Sequence, residues 1–215
     1  MKQARNYSFL DRLCLGFDQS LRAVCNTAKT TGRPNPSIDV VESDLSSEQR
    51  KHSSSLMRIN HTGEVCAQAL YHGQGLVSKS SSVKKKMQKS AIEEGDHLNW
   101  CHHRLSELGS HTSYLNPIWY VGSFTIGVAA GLIGDKWSLG FLAETENQVV
   151  HHLEKHMKVL KLKDDKSYKI LEQMKIDESI HMDDAIKAGG KKLPLFVQGM
   201  MYKMSKVMVK VTYFV

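Results

Sequence analysis

A Glu-x-x-His pair occurs twice in this chain, as Glu94-Gly95-Asp96-His97 and as Glu178-Ser179-Ile180-His181. With 11 Glu and 11 His in 215 residues, about half of one such match is expected by chance, so the spacing around the pairs has to carry the argument. On a helix, residues three apart lie one turn apart on the same face, so each Glu and His can converge on one point. Each pair also follows an apolar-flanked glutamate on the previous helical segment: Glu64 stands 30 residues before Glu94, and Glu146 stands 32 before Glu178. That interval is about the distance from the middle of one helix, around a turn, to the middle of its antiparallel neighbour. The second half repeats the first, with Glu146, Glu178 and His181 following Glu64, Glu94 and His97 by 82, 84 and 84 residues. Such a layout calls for four helices whose midpoints meet.

The rest of the chain agrees with an all-α architecture. Polar and apolar residues recur at three- and four-residue spacing from about Ser47 to Lys187, with few Gly or Pro to interrupt them. The first long helix should begin at Ser46 or Ser47, where Ser46 and Gln49 have capping-box spacing, and end near Val77. The second should follow a Ser/Lys-rich turn within Ser78 to Lys86 and stop at Leu108-Gly109. The third should run from about Trp137 to Leu162, and the fourth from Asp164 or Asp165 to Ala188, before Gly189-Gly190. Residues 8–25 read as a short amphipathic helix with Ser8 as N-cap, and Asn26 to Ser46 as a linker. The expected organisation is therefore an N-terminal helix and linker (1–46), a bundle (47–190) and a C-terminal tail (191–215).

One Glu from each of two helices and one Glu-x-x-His from each of two others form the donor inventory of ferritin-like di-metal bundles. Glu64, Glu94, His97, Glu146, Glu178 and His181 are the expected ligands. Four carboxylates and two imidazoles make a hard, oxygen-rich set suited to iron or manganese. Without metal, four inward carboxylates would repel one another and carry a large desolvation cost. Glu144 and Glu146 point about 200° apart on a helix, so only one can face inward, and the repeat favours Glu146. Glu93 and Asp177, each just before a motif glutamate, are placed to reach across to His181 and His97 and orient their rings. His152 is a candidate for proton transfer, set against a purely structural role.

Charge and cysteine usage bound the setting. The net charge of +7 calls for an anionic partner, nucleic acid or a membrane surface. No zinc-finger, RRM-like or helix-turn-helix signature supports nucleic acid. Cys14, Cys25, Cys66 and Cys101 form no CxxC pair and the opening residues carry no signal-peptide pattern, so a reducing, cytoplasm-facing location is expected. From Leu108 to Gly134 there is no charged residue. Within it, Pro117 to Gly134 is largely apolar and just long enough to cross a bilayer, but its glycines fit a buried or interfacial crossover helix better. The tail from Leu193 to Val215 lacks acidic residues. Its Lys203, Lys206 and Lys210 fall within about 60° on a helical wheel, with Met200, Met201, Met204, Met208 and Val211 elsewhere, as in a basic amphipathic helix on anionic lipid.

At these residues the sequence resembles the demethoxyubiquinone hydroxylase family. The resemblance is carried by the run from Leu56 to Tyr71, with Arg58-Ile59-Asn60-His61-Thr62-Gly63-Glu64 at its centre. Glu93-Glu94-Gly95-Asp96-His97-Leu98-Asn99-Trp100-Cys101, Leu139 to Glu146 and Asp177 to His181 carry it further, as do Tyr7 to Leu13 and Met204 to Met208 at the two ends. It implies a membrane-associated di-iron monooxygenase of ubiquinone biosynthesis, with two iron ions per chain held by the six residues above and molecular oxygen as co-substrate. The substrate would be a polyprenyl methoxy-methyl-benzoquinol, hydroxylated at its unsubstituted ring carbon to demethylubiquinol. Electrons would come from a reductase, NADH or the quinol itself. The implied location is peripheral, on the cytoplasmic face of the inner cell membrane, with other ubiquinone-biosynthesis proteins or further copies of the chain as partners. A ferritin-like iron-storage or iron-oxidising protein shares the six ligands and stands as the alternative, followed by a non-catalytic membrane-binding bundle.

Overall fold

The computed structural model describes residues 8–215, so the Tyr7 end of the first family-like segment lies outside the described residues. Among the described residues, seven α-helices make up the regular structure: α1 (Phe9–Val24), α2 (Ser47–Val77), α3 (Ser81–Glu107), α4 (Asn116–Ile133), α5 (Asp135–Leu160), α6 (Asp165–Lys187) and α7 (Leu195–Thr212). No strand is found among the described residues. The starts of α1 and α2 are set by the capping boxes of Ser8 with Asp11 and of Ser46 with Gln49, which satisfy backbone N–H groups that the first turn leaves without partners. α3 ends where Gly109 takes a positive φ of 68°, a conformation costly for a residue with a Cβ. α5 begins at Asp135, two residues before the expected Trp137, because Gly134 with φ 123° already turns the chain out of α4.

α2, α3, α5 and α6 form the four-helix bundle, α2 and α6 running one way and α3 and α5 the other. The core explains why a site sits at mid-height. Leu56, Met57, Trp100, Leu105, Leu153, Leu160, Ile170 and Met174 fill one apolar layer, and Ala67, Tyr71, Met87, Ala91, Leu139, Leu142 and Ala185 fill another. On every helix the six candidate residues fall between these layers in the sequence.

α4 is the crossover, and it lies along α2 rather than apart from the bundle. Gly127 faces Leu70, with its would-be Cβ 2.6 Å from the Leu70 carbonyl oxygen and 3.0 Å from its Cα, and Gly73 meets the backbone of Phe124 and Val128 in return. In the GxxxG, Gly127 therefore packs backbone on backbone, while Gly131 makes room for the Val77 side chain. The outer face of α4 exposes Ile118, Val121, Leu132 and Ile133. α4 is long and apolar enough to cross a membrane, at 18 residues and mean hydropathy 1.2. α7 leans on α2 and α5, turning Met201, Met208 and Val209 partly inward and burying Thr212. Its outer arc mixes Phe196, Met200 and Val207 with Lys203, Lys206 and Lys210, so the lysines and several of the apolar residues share a face instead of occupying separate ones. The segment between α1 and α2 is non-helical, as expected of a linker, but it is docked: Leu45 enters the core, and Glu42 pairs with the buried Arg104 at 2.7 Å.

Candidate metal centre

Glu64 comes from α2, Glu94 and His97 from α3, Glu146 from α5, and Glu178 and His181 from α6, and all six are buried. Donor atoms of Glu64, Glu94, His97 and Glu178 lie within 4.8 Å of one another. His97 Nδ1 stands 3.0 Å from Glu94 Oε2, 3.0 Å from Glu178 Oε1 and 3.6 Å from Glu64 Oε2. His181 Nδ1 stands 3.0 Å from Glu94 Oε1 and 3.2 Å from Glu178 Oε2. Glu94 and Glu178 therefore each offer one oxygen to either histidine. Glu146 completes the group from the α5 side, where Tyr71 donates to its Oε1 at 2.8 Å.

Both rings turn the same way, with Nδ1 inward and Nε2 outward. His97 Nε2 donates to Asp177 Oδ2 at 2.9 Å, and His181 Nε2 donates to Glu93 Oε2 at 3.0 Å. These are the two cross-bundle contacts expected from sequence. They hold a hydrogen on Nε2 and aim each Nδ1 at the cluster.

The electrostatics are those of a site that wants cations. Burial, reinforced by the charges of neighbouring glutamates, pushes the Glu64 and Glu146 carboxyls well above the ordinary range. Burial acts on Glu94 in the same sense, but the imidazoles of His181 and His97 overcome it and hold this carboxyl well below its usual value. Burial would likewise lower both histidines, yet the surrounding carboxylates raise His97 well above its ordinary value and His181 to about 12. Among the described residues, Glu64 Oε2, Glu94 Oε1 and Glu146 Oε2 are buried without a hydrogen-bond partner. A buried carboxylate oxygen with no donor is costly, and divalent or trivalent ions bound among these residues would offset that cost. The residues fit such an ion: the set is hard, anionic and dry.

Two neighbours separate from the cluster. Glu144 is half-buried and accepts from Gln148 at 2.7 Å. His152 makes no hydrogen bond or ion pair with the six; it sits against His156, ring centroids 4.2 Å apart, and lines a cleft between α5 and α7. Burial lowers its pKa to about 4.

Residues 51–212 match the family described as ubiquinone biosynthesis protein COQ7. The chain belongs to this family. It is 49% identical over 213 residues to a Nitrosococcus oceani protein named 3-demethoxyubiquinol 3-hydroxylase, covering 99% of this chain and 100% of that one. A Polynucleobacter necessarius protein of the same name is 54% identical over 205 residues, covering 95% and 98%. An Acinetobacter baumannii protein, also so named, is 51% identical over 210 residues, covering 98% and 99%.

The COQ7-type centre contains residues that motif reading did not single out. Tyr71 lies seven residues after Glu64 and so on the same helix face; that spacing was the available signal. Arg33, Asp96 and Trp100 surround His97, and Asp96 lies inside the first Glu-x-x-His. Arg33 bridges Asp96 and Asp177 at 3.1 and 2.8 Å. No local pattern marks it.

Proposed function

We propose that the chain is a di-iron monooxygenase that hydroxylates a 2-polyprenyl-3-methyl-6-methoxy-1,4-benzoquinol to 3-demethylubiquinol, with Glu64, Glu94, His97, Glu146, Glu178 and His181 as iron ligands. The observation that carries this reading is the buried meeting of two Glu-x-x-His pairs and two lone glutamates between two apolar layers, in a chain about half identical to proteins named for that reaction. Two iron ions held there would supply oxygen activation, one oxygen atom replacing the ring hydrogen as hydroxyl and the other leaving as water, with two electrons drawn from NADH, a reductase or the quinol.

The protein's own part is positional. Asp177 and Glu93 fix the ring orientations of His97 and His181. Tyr71 holds one oxygen of Glu146 and leaves the other buried without a hydrogen bond. The layers of Leu, Met and Ala side chains above and below exclude bulk water, which keeps reactive species from being quenched. His152 is read as a structural histidine of the α5/α7 cleft, since no hydrogen bond or ion pair links it to the six.

The substrate's isoprenoid tail resides in a bilayer, and the protein is read as lying peripherally on the cytoplasmic face of the inner membrane. Exposed apolar residues on α1 (Leu10, Phe17, Leu21), α4 and α7 support contact with lipid, and Lys203, Lys206 and Lys210 support an anionic surface. The iron-storage alternative finds no support in the names of the relatives described above. The test is quinone profiling of cells that lack this protein. Accumulation of the demethoxy quinone, reversed by the wild type and not by Glu178→Ala, is the expected result; a normal quinone profile in the null strain would refute the assignment.

A further inference from the structure

The two halves of the centre repeat in sequence but not in their surroundings. Between α1 and α2 the chain crosses α3 as a strap. The Thr31 N–H donates to Asp96 Oδ1 at 2.9 Å and the Gly32 N–H to the same atom at 3.3 Å, while the Thr31 hydroxyl binds Oδ2. Beneath it, Gly95 leaves no room for a Cβ, which would collide with the Lys29 carbonyl. The two middle residues of the first Glu-x-x-His, Gly95 and Asp96, thus both serve to seat the strap.

Arg33 then reaches inward from it. Its Nε donates to Asp96 Oδ2 at 3.1 Å and its Nη2 to Asp177 Oδ2 at 2.8 Å. That Asp177 oxygen is the one that accepts His97 Nε2–H, and the other, Oδ1, accepts from Gln173 at 3.1 Å. The guanidinium lies 5.1 Å from the Trp100 ring centre, and Trp100 packs against His97 with ring centroids 5.4 Å apart. Asp96 and Asp177 belong to α3 and α6, the two helices that carry the Glu-x-x-His pairs, so one planar fork ties both to the His97 side.

The other half has no equivalent among the described residues. Glu93, the partner of His181, meets only Lys89 at 3.3 Å through its second oxygen, and the Lys89 side chain is 74% exposed. Ser179 bonds back to Lys175 of its own helix at 2.9 Å, and Ile180 faces out. A flexible lysine in water restrains a carboxylate far less than a guanidinium fork stacked on an indole.

We propose that Arg33 is a positioning residue for the ion held by His97: through the shared oxygen Asp177 Oδ2 it fixes the ring's tautomer and aim, and it makes the two ion positions inequivalent. This rests on the metal-centre reading above. Residues that orient a metal-binding histidine from behind typically change metal affinity by about 10- to 100-fold when replaced.

The test is a cobalt(II) titration of the full-length metal-free chain, followed by visible ligand-field absorption and paired with melting temperatures in chelator. The wild type should take up two ions in two steps. Arg33→Gln should weaken one step by roughly 10- to 100-fold and shift its absorption band, leaving the other step in place. Arg33→Lys, which keeps the charge but cannot bridge both aspartates, should recover only part of that loss. Thr31→Val, which loosens the strap without touching Asp177, should lower the melting temperature and leave both steps unchanged. Identical titrations for wild type and Arg33→Gln overturn the proposal, as does equal weakening of both steps reproduced by Thr31→Val, which would make the strap merely structural. A wild type that takes up no cobalt rejects the metal centre itself.

Discussion

The seam between α2 and α4 makes a sharp quantitative claim, because two glycines face backbone from opposite sides. An alanine at position 127 would put its Cβ 2.6 Å from the Leu70 oxygen, 3.0 Å from Leu70 Cα and 3.2 Å from Leu70 C. All three atoms are backbone, so no side chain can swing aside, and α4 must retreat by several tenths of an ångström. Forced insertion of this kind costs about 1–3 kcal/mol, and the retreat forfeits a quarter to a half of the dispersion energy of each contact along the seam. Gly→Ala inside a helix returns roughly 0.8–1 kcal/mol of propensity, so the seam must lose more than this for a net effect to appear. Gly122, on the same helix with nothing within 4 Å of its would-be Cβ, is the control: Gly122→Ala should stabilise by about 0.5–1 kcal/mol. Gly127→Ala should destabilise by about 1–2 kcal/mol, which for a domain of this size lowers Tm by roughly 3–6 °C. Gly73→Ala should behave likewise, and since either change separates the same helices, the double variant should cost less than the sum by at least about 0.5 kcal/mol. Urea unfolding of the metal-free proteins measures all four. Strict additivity, or a stabilised Gly127→Ala, would show that backbone contact does not set the α2–α4 distance.

Other consequences are as direct. Glu146→Ala should lose bound metal while Glu144→Ala keeps two ions per chain, measured by metal analysis after reconstitution; metal loss in Glu144→Ala alone would reverse the choice between them. Tyr71→Phe removes the hydrogen bond to Glu146 Oε1 and should weaken metal binding by about tenfold while the fold persists, read by competition with a chelator; unchanged affinity would leave Tyr71 without a role. Burial lowers His61 and His156 to about 3 each, below the value of about 6.5 in an unfolded chain. The unfolded state therefore binds more protons between these limits, and stability is full above pH 6.5 and falls with acid by about 1.4 kcal/mol per pH unit for each histidine. His156→Gln should make that slope shallower by one proton in urea titrations between pH 6 and 4; parallel slopes would contradict it. Replacing Lys203, Lys206 and Lys210 together by Gln should weaken retention on anionic liposomes by about 3 kcal/mol or less, with no change on neutral ones. Equal retention on both would remove α7 as an electrostatic contact.

Much of this protein could be read from local sequence. The capping boxes at Ser8 and Ser46, the stop at Gly109, the helix bounds to within two residues and the inward choice of Glu146 over Glu144 all depend on interactions spanning a few residues or on helical period. Asp177 and Glu93, each immediately before a motif glutamate, could likewise be placed within reach of the opposite histidines, and the 82- to 84-residue repeat pointed to Glu146. What periodicity cannot encode is partnership between distant segments. Arg33 and Asp177 are 144 positions apart and Tyr71 and Glu146 are 75 apart, and nothing in either neighbourhood names the other. The seating of the 29–33 strap on Gly95, the course of α4 along α2 and the arc of α7 left facing outward were likewise decided only by packing. A helix's pattern states which face is apolar, but which surface covers that face depends on how the whole chain closes on itself.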